Sequence, residues 1–197
     1  MKAGRRDHAM TEAPPRSAGG AGEARLRPAV IDDALCLGVL GTQVFLDTYA
    51  TGGIRPTLAR EVLSSFSTEA CRAFIAAPDS WVCVAEADGH LVGFSHFALA
   101  AQHELAPEGV QAELVRLYVQ EPFTGRGIGS RLLREAESVA ASEGGTVLWL
   151  TPWAENARAL AFYARHGYAD HGLAWYRFEH ESYENRVLAK RLTPSPR

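Results

Sequence analysis

The chain has 197 residues, 47% hydrophobic and 22% charged, with a formal net charge of −3 at pH 7. That length suits one domain able to bury a core without metal or disulfide staples, and the acidic balance speaks against a nucleic-acid phosphate footprint. No stretch approaches the roughly 18 apolar residues that a membrane span requires, and the N-terminus lacks the apolar h-region of a secretory leader, so a cytoplasmic protein without membrane or nucleic-acid partners is expected.

Residues 1 to 22 are rich in Gly, Ala and Pro and hold four basic and two acidic residues without periodicity, so they are expected to form a disordered tail ahead of a single domain at 23–197. Arg25-Leu26-Arg27-Pro28-Ala29 alternates and predicts a first strand, and Asp32 is expected to cap a helix running to about Thr48. Further helices are predicted from Thr57 to about Phe66 and from Thr68 to Ala77, the latter capped by Ser67 or Thr68. Cys36, Cys71 and Cys83 are odd in number, lack C-x-x-C spacing and stand among apolar neighbours, so all three are expected as buried small hydrophobes in a reducing cytoplasm.

Trp81 to Glu86 is a β-type run, Asp88-Gly89 is a hairpin signal, and Leu91 to Ala100 is the returning strand. After a polar loop from Gln102 to Glu108, a strand from Glu113 to Gln120 leads into Gly125-Arg126-Gly127-Ile128-Gly129-Ser130 and then a helix with apolar Ile128, Leu132, Leu133, Ala136 and Val139. Thr146 to Leu150 is a continuous apolar run, as in a strand buried on both faces. Asn156 opens another helix, which Gly167 closes, and strands near Leu173 to Phe178 and Arg186 to Lys190 end the chain. The order is β, three helices, ββ, β, α, β, α, ββ, an α/β (α+β) arrangement with about seven strands.

A glycine-rich turn feeding a helix leaves several N–H groups aimed one way, and glycines at alternate positions let an anion approach the main chain. An ATPase-type loop would end Gly-Lys-Ser/Thr, whereas this one ends Gly129-Ser130-Arg131, and the dinucleotide spacing G-x-G-x-x-G is absent. The loop alone is compatible with a phosphorylated ligand or with a tight strand-to-helix turn.

The residues downstream bear on that choice. Leu117-Tyr118-Val119 followed by Gly125-Arg126-Gly127-Ile128-Gly129-Ser130 resembles motif A of the GNAT superfamily of acyl-CoA-dependent N-acetyltransferases, and Asn156 to Tyr168 resembles its motif B, N-x-x-A-x-x-F-Y-x-x-x-G-F/Y. Thr124 departs from the family's Gln or Arg at the first loop position. Phe45-Leu46-Asp47-Thr48-Tyr49, Glu113 to Val119, and Trp149-Leu150 leading to Trp153 look further like bacterial spermidine/spermine N-acetyltransferases.

The resemblance implies a mixed, mostly antiparallel sheet flanked by helices, with a central parallel strand pair splayed at the cofactor site; in the family the strand splays at a bulge, so that main-chain groups of Leu117 and Val119 meet the pantetheine and the acetyl oxygen, or else serve plain sheet pairing. It also implies acetyl-CoA as co-substrate, held by Leu117, Tyr118, Val119, Thr124, Gly125, Arg126, Gly127, Ile128, Gly129, Ser130, Asn156, Ala159 and Tyr163. Tyr163 would donate a proton to the departing thiolate, or be a core tyrosine. Asn156 is an N-cap by residue type, to which the resemblance adds a bond to the coenzyme A arm. Glu113 is a candidate base or a solvated edge glutamate. A regular strand would put it on one face with Leu117 and Val119 and turn Arg116 and Tyr118 to the other.

Asp47, Tyr49, Trp81, His96 and Trp153 are candidates for an acceptor pocket or for core and surface positions. His96, His103, His166 and His171 lack metal-type spacing, so no metal is expected. The expected activity is acetylation of a small primary amine, polyamines among the candidates, by a monomer or homodimer. Acetylation of a protein N-terminus or lysine and a silent coenzyme A sensor are the alternatives.

Overall fold

The computed structural model describes residues 23–178 and 181–193; the expected tail at 1–22 lies outside them. Among the described residues are the strands β1 (Arg25–Pro28), β2 (Ser80–Ala87), β3 (His90–Leu99), β4 (Gln111–Val119), β5 (Val147–Leu150), β6 (Ala169–Phe178) and β7 (Glu181–Arg191). The helices are α1 (Ala34–Tyr49), α2 (Pro56–Ser65), α3 (Thr68–Ala76), α4 (Ile128–Ser142) and α5 (Ala157–Arg165). One sheet in the order β1-β2-β3-β4-β5-β7-β6 holds all seven strands, and only β4 and β5 pair in parallel.

Local chemistry accounts for most of these elements. Asp88 and Gly89 both have positive φ, 50° and 77°, the tight hairpin turn that joins right-twisted strands. Ser67 Oγ accepts the Ala70 N–H at 3.1 Å and caps α3, and Gly167 takes a φ of 85° after α5. The start of α1 differs from expectation. Asp33 rather than Asp32 stands at the N-cap, because its carboxylate is held by both Arg27 terminal nitrogens at 2.7 and 2.9 Å and by the Val30 N–H at 2.8 Å. β6 begins at Ala169, earlier than predicted, since its whole length finds a partner in β7.

Apolar residues cover both faces of the sheet. On one, Leu133, Ala136 and Ala140 of α4 pack with Tyr163 of α5 over Leu114, Leu148 and Leu188, and Leu132 packs with Ile128 over Cys83, Ala85 and Val92. On the other, Leu37 and Leu40 of α1 and Cys71 of α3 cover Val82, Val84 and Phe94. β5 is buried at every position, as its continuous apolar sequence predicts. Cys71 and Cys83 are buried, but Cys36 is exposed, because it shares the solvent side of α1 with Leu35 and Val39, which are exposed too.

Two features of β4 position everything that follows. Its pairing with β5 covers only Gln111 to Glu113, while its pairing with β3 continues to Val119. The chain beyond β5 leaves with β7 instead, where Arg186 N–H donates to Pro152 C=O at 2.9 Å and Ala154 N–H to Glu184 C=O at 2.8 Å. The second feature is a β-bulge. Leu114 faces Phe97 and Arg116 faces His96 across the β3 pair, so Val115 is an extra residue.

Small residues let α1 approach α2 closely. A Cβ at Gly38 would lie 2.4 Å from the Phe66 carbonyl oxygen, a backbone atom that cannot swing away. Gly38→Ala should therefore lose about 1–3 kcal/mol to overpacking against about 1 kcal/mol gained in helix propensity. The expected result is a lower melting temperature by calorimetry; an equal or higher one would contradict this packing.

Candidate active site

The bulge at Val115 reverses the alternation of β4. Before it, Ala112 and Leu114 face the α4 and α5 side; after it, Leu117 and Val119 do. Glu113 therefore lies on the opposite face from Leu117 and Val119, and it lines a cavity with Arg116 and Tyr118. The single face expected for Glu113, Leu117 and Val119 is corrected by one inserted residue.

On the α4 and α5 side the splay opens a groove of about 990 Å³, walled by Leu117 and Val119, the loop from Thr124 to Ser130 and the first turns of α5. The main chain contributes as well. Gln120 N–H donates to Val92 C=O at 3.0 Å on the β3 side, so alternation turns the N–H and C=O groups of Leu117 and Val119 toward the gap that β5 vacates. Tyr118, expected among the cofactor residues, turns its ring away from the groove and packs on Phe94 with centroids 5.4 Å apart.

Gly125 and Gly127 have φ of 74° and 77°, and a Cβ at either would meet no protein atom within 4 Å. Their glycine identity serves the backbone conformation and leaves open space beside the N-terminus of α4. This space, with N–H groups converging on it, fits a bulky phosphorylated ligand such as the pyrophosphate arm of coenzyme A. Ile128 is buried beneath the loop. Ser130 Oγ lies 2.9 Å from His166 Nε2, and His166 Nδ1 lies 2.8 Å from the Phe162 carbonyl. A carbonyl only accepts, so Nδ1–H donates to Phe162, while the other ring nitrogen is bonded to the Ser130 hydroxyl. That bond ties α4 to α5, a role the sequence reading of His166 missed.

Thr124 Oγ1 donates back to Glu121 C=O at 2.8 Å, so it closes the preceding turn rather than reaching into the groove. Arg126 is exposed, with its guanidinium carbon 5.2 Å from the centroid of the Phe123 ring. It is not part of the groove wall, whereas Arg158 and Arg165 line it, two turns apart on α5, a helical spacing that could have flagged them as phosphate partners. Asn156 caps α5 by accepting the Ala159 N–H at 3.0 Å, while both residues border the groove. Tyr163 is buried with its ring facing the groove, and burial pushes its phenol well above the usual range.

On the other side of β4 lies a cavity of about 620 Å³ walled by Phe45, Tyr49, Phe66, Tyr118, Trp153 and Tyr176. Its charged residues include Glu61, Glu113 and Arg116. Burial raises the Glu113 carboxyl above its ordinary value, and the Arg116 charge opposes that shift. Thr51 and Trp153 border both the cavity and the groove, so the two meet beside the end of the β4 and β5 pairing. Of the other pocket candidates, Tyr49 and Trp153 line the cavity and Asp47 lines the groove. His96 is buried in the sheet, and Trp81 packs against the core beneath α4 and α5. Most of the cavity wall was missed from sequence, since it is drawn from α1, α2, β6 and β7. Among the described residues no three His, Cys, Asp or Glu side chains cluster as a metal site, and no helix is long and apolar enough to cross a membrane.

Comparison with known proteins places this geometry. Residues 53–168 match the acetyltransferase (GNAT) family model. An uncharacterized N-acetyltransferase in the pepI 3′ region of Lactobacillus delbrueckii subsp. lactis is 28% identical over 130 residues, 65% of this chain and 74% of that protein. An IAA acetyltransferase of Azospirillum brasilense is 34% identical over 98 residues, 50% of this chain and 60% of that protein. In structure, the PaiA N-acetyltransferase of Thermoplasma acidophilum in complex with coenzyme A superposes with a TM-score of 0.67 at 22% identity, covering 85% of this chain and 98% of that one. YncA of Salmonella typhimurium, solved with acetyl-CoA, gives 0.62 at 17% identity, covering 88% and 96%. With motif A on the splayed strand and motif B on the helix beside it, the chain belongs to the GNAT family and is an acetyl-CoA-dependent N-acetyltransferase.

Proposed function

We propose that the protein acetylates the primary amine of a small molecule held in the aromatic cavity, by direct attack within a ternary complex. The observation that carries this reading is the abutment of a groove suited to coenzyme A and an aromatic cavity at Trp153 and Thr51. A cavity of about 620 Å³ suits a small acceptor better than a protein surface.

Acetyl-CoA supplies the acyl carbon, whose bond to sulfur breaks as its bond to the amine nitrogen forms. Gly125, Arg126, Gly127, Gly129 and Ser130 bind the pyrophosphate through backbone N–H groups and the α4 dipole, with Arg158 and Arg165 as cationic partners. The main-chain groups of Leu117 and Val119 orient the pantetheine arm and acetyl oxygen in the gap. Glu113 takes the proton of the acceptor ammonium, directly or through water, and its raised affinity for a proton suits that task. Tyr163 holds a proton at its hydroxyl for the departing sulfur; burial keeps that phenol protonated at neutral pH. A silent coenzyme A sensor would have no use for Glu113 and Tyr163 on opposite sides of the junction.

Thiol release from acetyl-CoA with small primary amines tests the reaction, and its absence with every amine would contradict it. Three variants test the roles. A Cβ at Gly129 would sit in ordinary contact, 3.7 Å from the Phe162 ring, so the fold has room for it. Gly129→Leu should weaken coenzyme A binding by about tenfold or more; wild-type affinity by calorimetry in the folded variant would overturn the loop assignment.

Tyr163→Phe should lower kcat by about 10- to 100-fold with little change in coenzyme A affinity. An unchanged kcat would remove Tyr163 from the acid role.

For Glu113 the sign follows from its raised value. The base form is lost as pH falls through a value above the ordinary glutamate range of about 4.3, so kcat/KM should decline on that acid limb. Glu113→Gln should lower the rate by about 100-fold and abolish the limb, and a wild-type profile in this variant would exclude Glu113 as the base.

A further inference from the structure

Arg116 reaches the acceptor cavity from β4 and is held by uncharged neighbours. Its Nη1 lies 3.0 Å from His96 Nδ1. A guanidinium can only donate, so Nδ1 accepts and Nε2–H donates to Ser80 Oγ at 2.9 Å. His96 is thus neutral, its pKa pushed down to about 3 by burial and by the Arg116 charge. The imidazole also stacks on Phe74, with ring centroids 4.7 Å apart and planes at 18°. The Arg116 guanidinium carbon lies 5.4 Å from the ring centroids of both Phe66 and Phe74. These contacts fix the planar fork in place but neutralise none of its charge.

No carboxylate stands within ion-pair distance of Arg116 among the described residues. Glu61 and Glu113 line the same cavity, and Glu61 is engaged by Ser65 Oγ at 2.6 Å. A half-buried guanidinium with donors left over is costly unless an anion meets it. Its rigid fork matches a carboxylate.

We propose that Arg116 binds a carboxylate of the acceptor, so that the substrate class is a primary amine bearing a carboxylate on an apolar or aromatic body. The bulge puts Arg116 and Glu113 on the same face of β4, an anion site beside the base that serves the amine. Phe45, Tyr49, Phe66 and Trp153 provide the apolar wall for the body. A polyamine, which carries cations alone, would face Arg116 as a like charge. This inference rests on the acetyltransferase reading for the fate of the amine, and on the cavity alone for the carboxylate.

The test compares amines with and without the carboxylate: L-phenylalanine against 2-phenylethylamine, 4-aminobutyrate against n-propylamine, and spermidine as a cationic control. Thiol release gives kcat/KM, and calorimetric titration of the same amines into the coenzyme A complex gives affinity without turnover. The wild-type protein should favour the carboxylated member of at least one pair by about tenfold or more, with spermidine the poorest. Arg116→Gln should bring that ratio near one, and Arg116→Lys, which keeps charge without the fork, should fall between.

Preference for the decarboxylated amines or spermidine, or an undiminished ratio in a folded Arg116→Gln variant, would overturn the proposal. The wild-type comparison decides even if that variant does not fold. Should no amine turn over, the acetyltransferase reading fails, and the titration still decides whether Arg116 selects a carboxylate; binding of neither member of a pair would sink it too.

Discussion

β4 is tied to β3 along its length while the chain leaving β5 is tied to β7, and the β4 and β5 pairing ends at Glu113, so a gap opens between them. Backbone hydrogen-bonding groups turned away from a partner strand need other partners, and here those of Leu117 and Val119 look into a groove. The groove thus comes from where these strand pairings part, not from the glycine loop alone. Glycine loop and helix dipole complete it at one end.

The bulge at Val115 converts that gap into two chambers with different chemistry. Without the extra residue, Glu113 would share the cofactor side with Leu117 and Val119. With it, Glu113, Arg116 and Tyr118 look into the aromatic cavity. One strand therefore borders both chambers, with the main chain of Leu117 and Val119 turned to the groove and the side chains of Glu113 and Arg116 to the cavity. Burial does the rest of the tuning: it raises the Glu113 carboxyl and the Tyr163 phenol, whereas Glu113 also feels the opposing pull of Arg116. The His96 imidazole, kept neutral, orients Arg116 without cancelling it.

Much of the frame was legible because its signals are local. Asp88-Gly89 announces its hairpin, the spacing of Ile128, Leu132, Leu133 and Ala136 announces α4, and Val147 to Leu150 announces a strand buried on both faces. The glycine loop and the Asn156 cap lie where their residue types require. The faces of β4 were not legible, because period-two alternation assumes a regular strand and nothing in Leu114-Val115-Arg116 marks the inserted residue. The aromatic cavity was legible at Tyr49, Trp153 and Glu113, whereas Phe66, Glu61 and Tyr176 come from elements far apart in sequence. Likewise, a bond between Ser130 and His166 depends on how α4 and α5 dock.

The central claim is that Leu117 and Val119 present unpaired main-chain groups to the donor groove while Tyr118 and Gln120 stay paired to β3. Residue-resolved amide hydrogen exchange by NMR, with and without coenzyme A, tests it most directly. The Leu117 and Val119 amides should exchange much faster than those of Tyr118 and Gln120 in the free protein, and should become protected when coenzyme A binds. Equal protection of all four amides in the free protein, or no gain at Leu117 and Val119 on saturation with coenzyme A, would contradict the account.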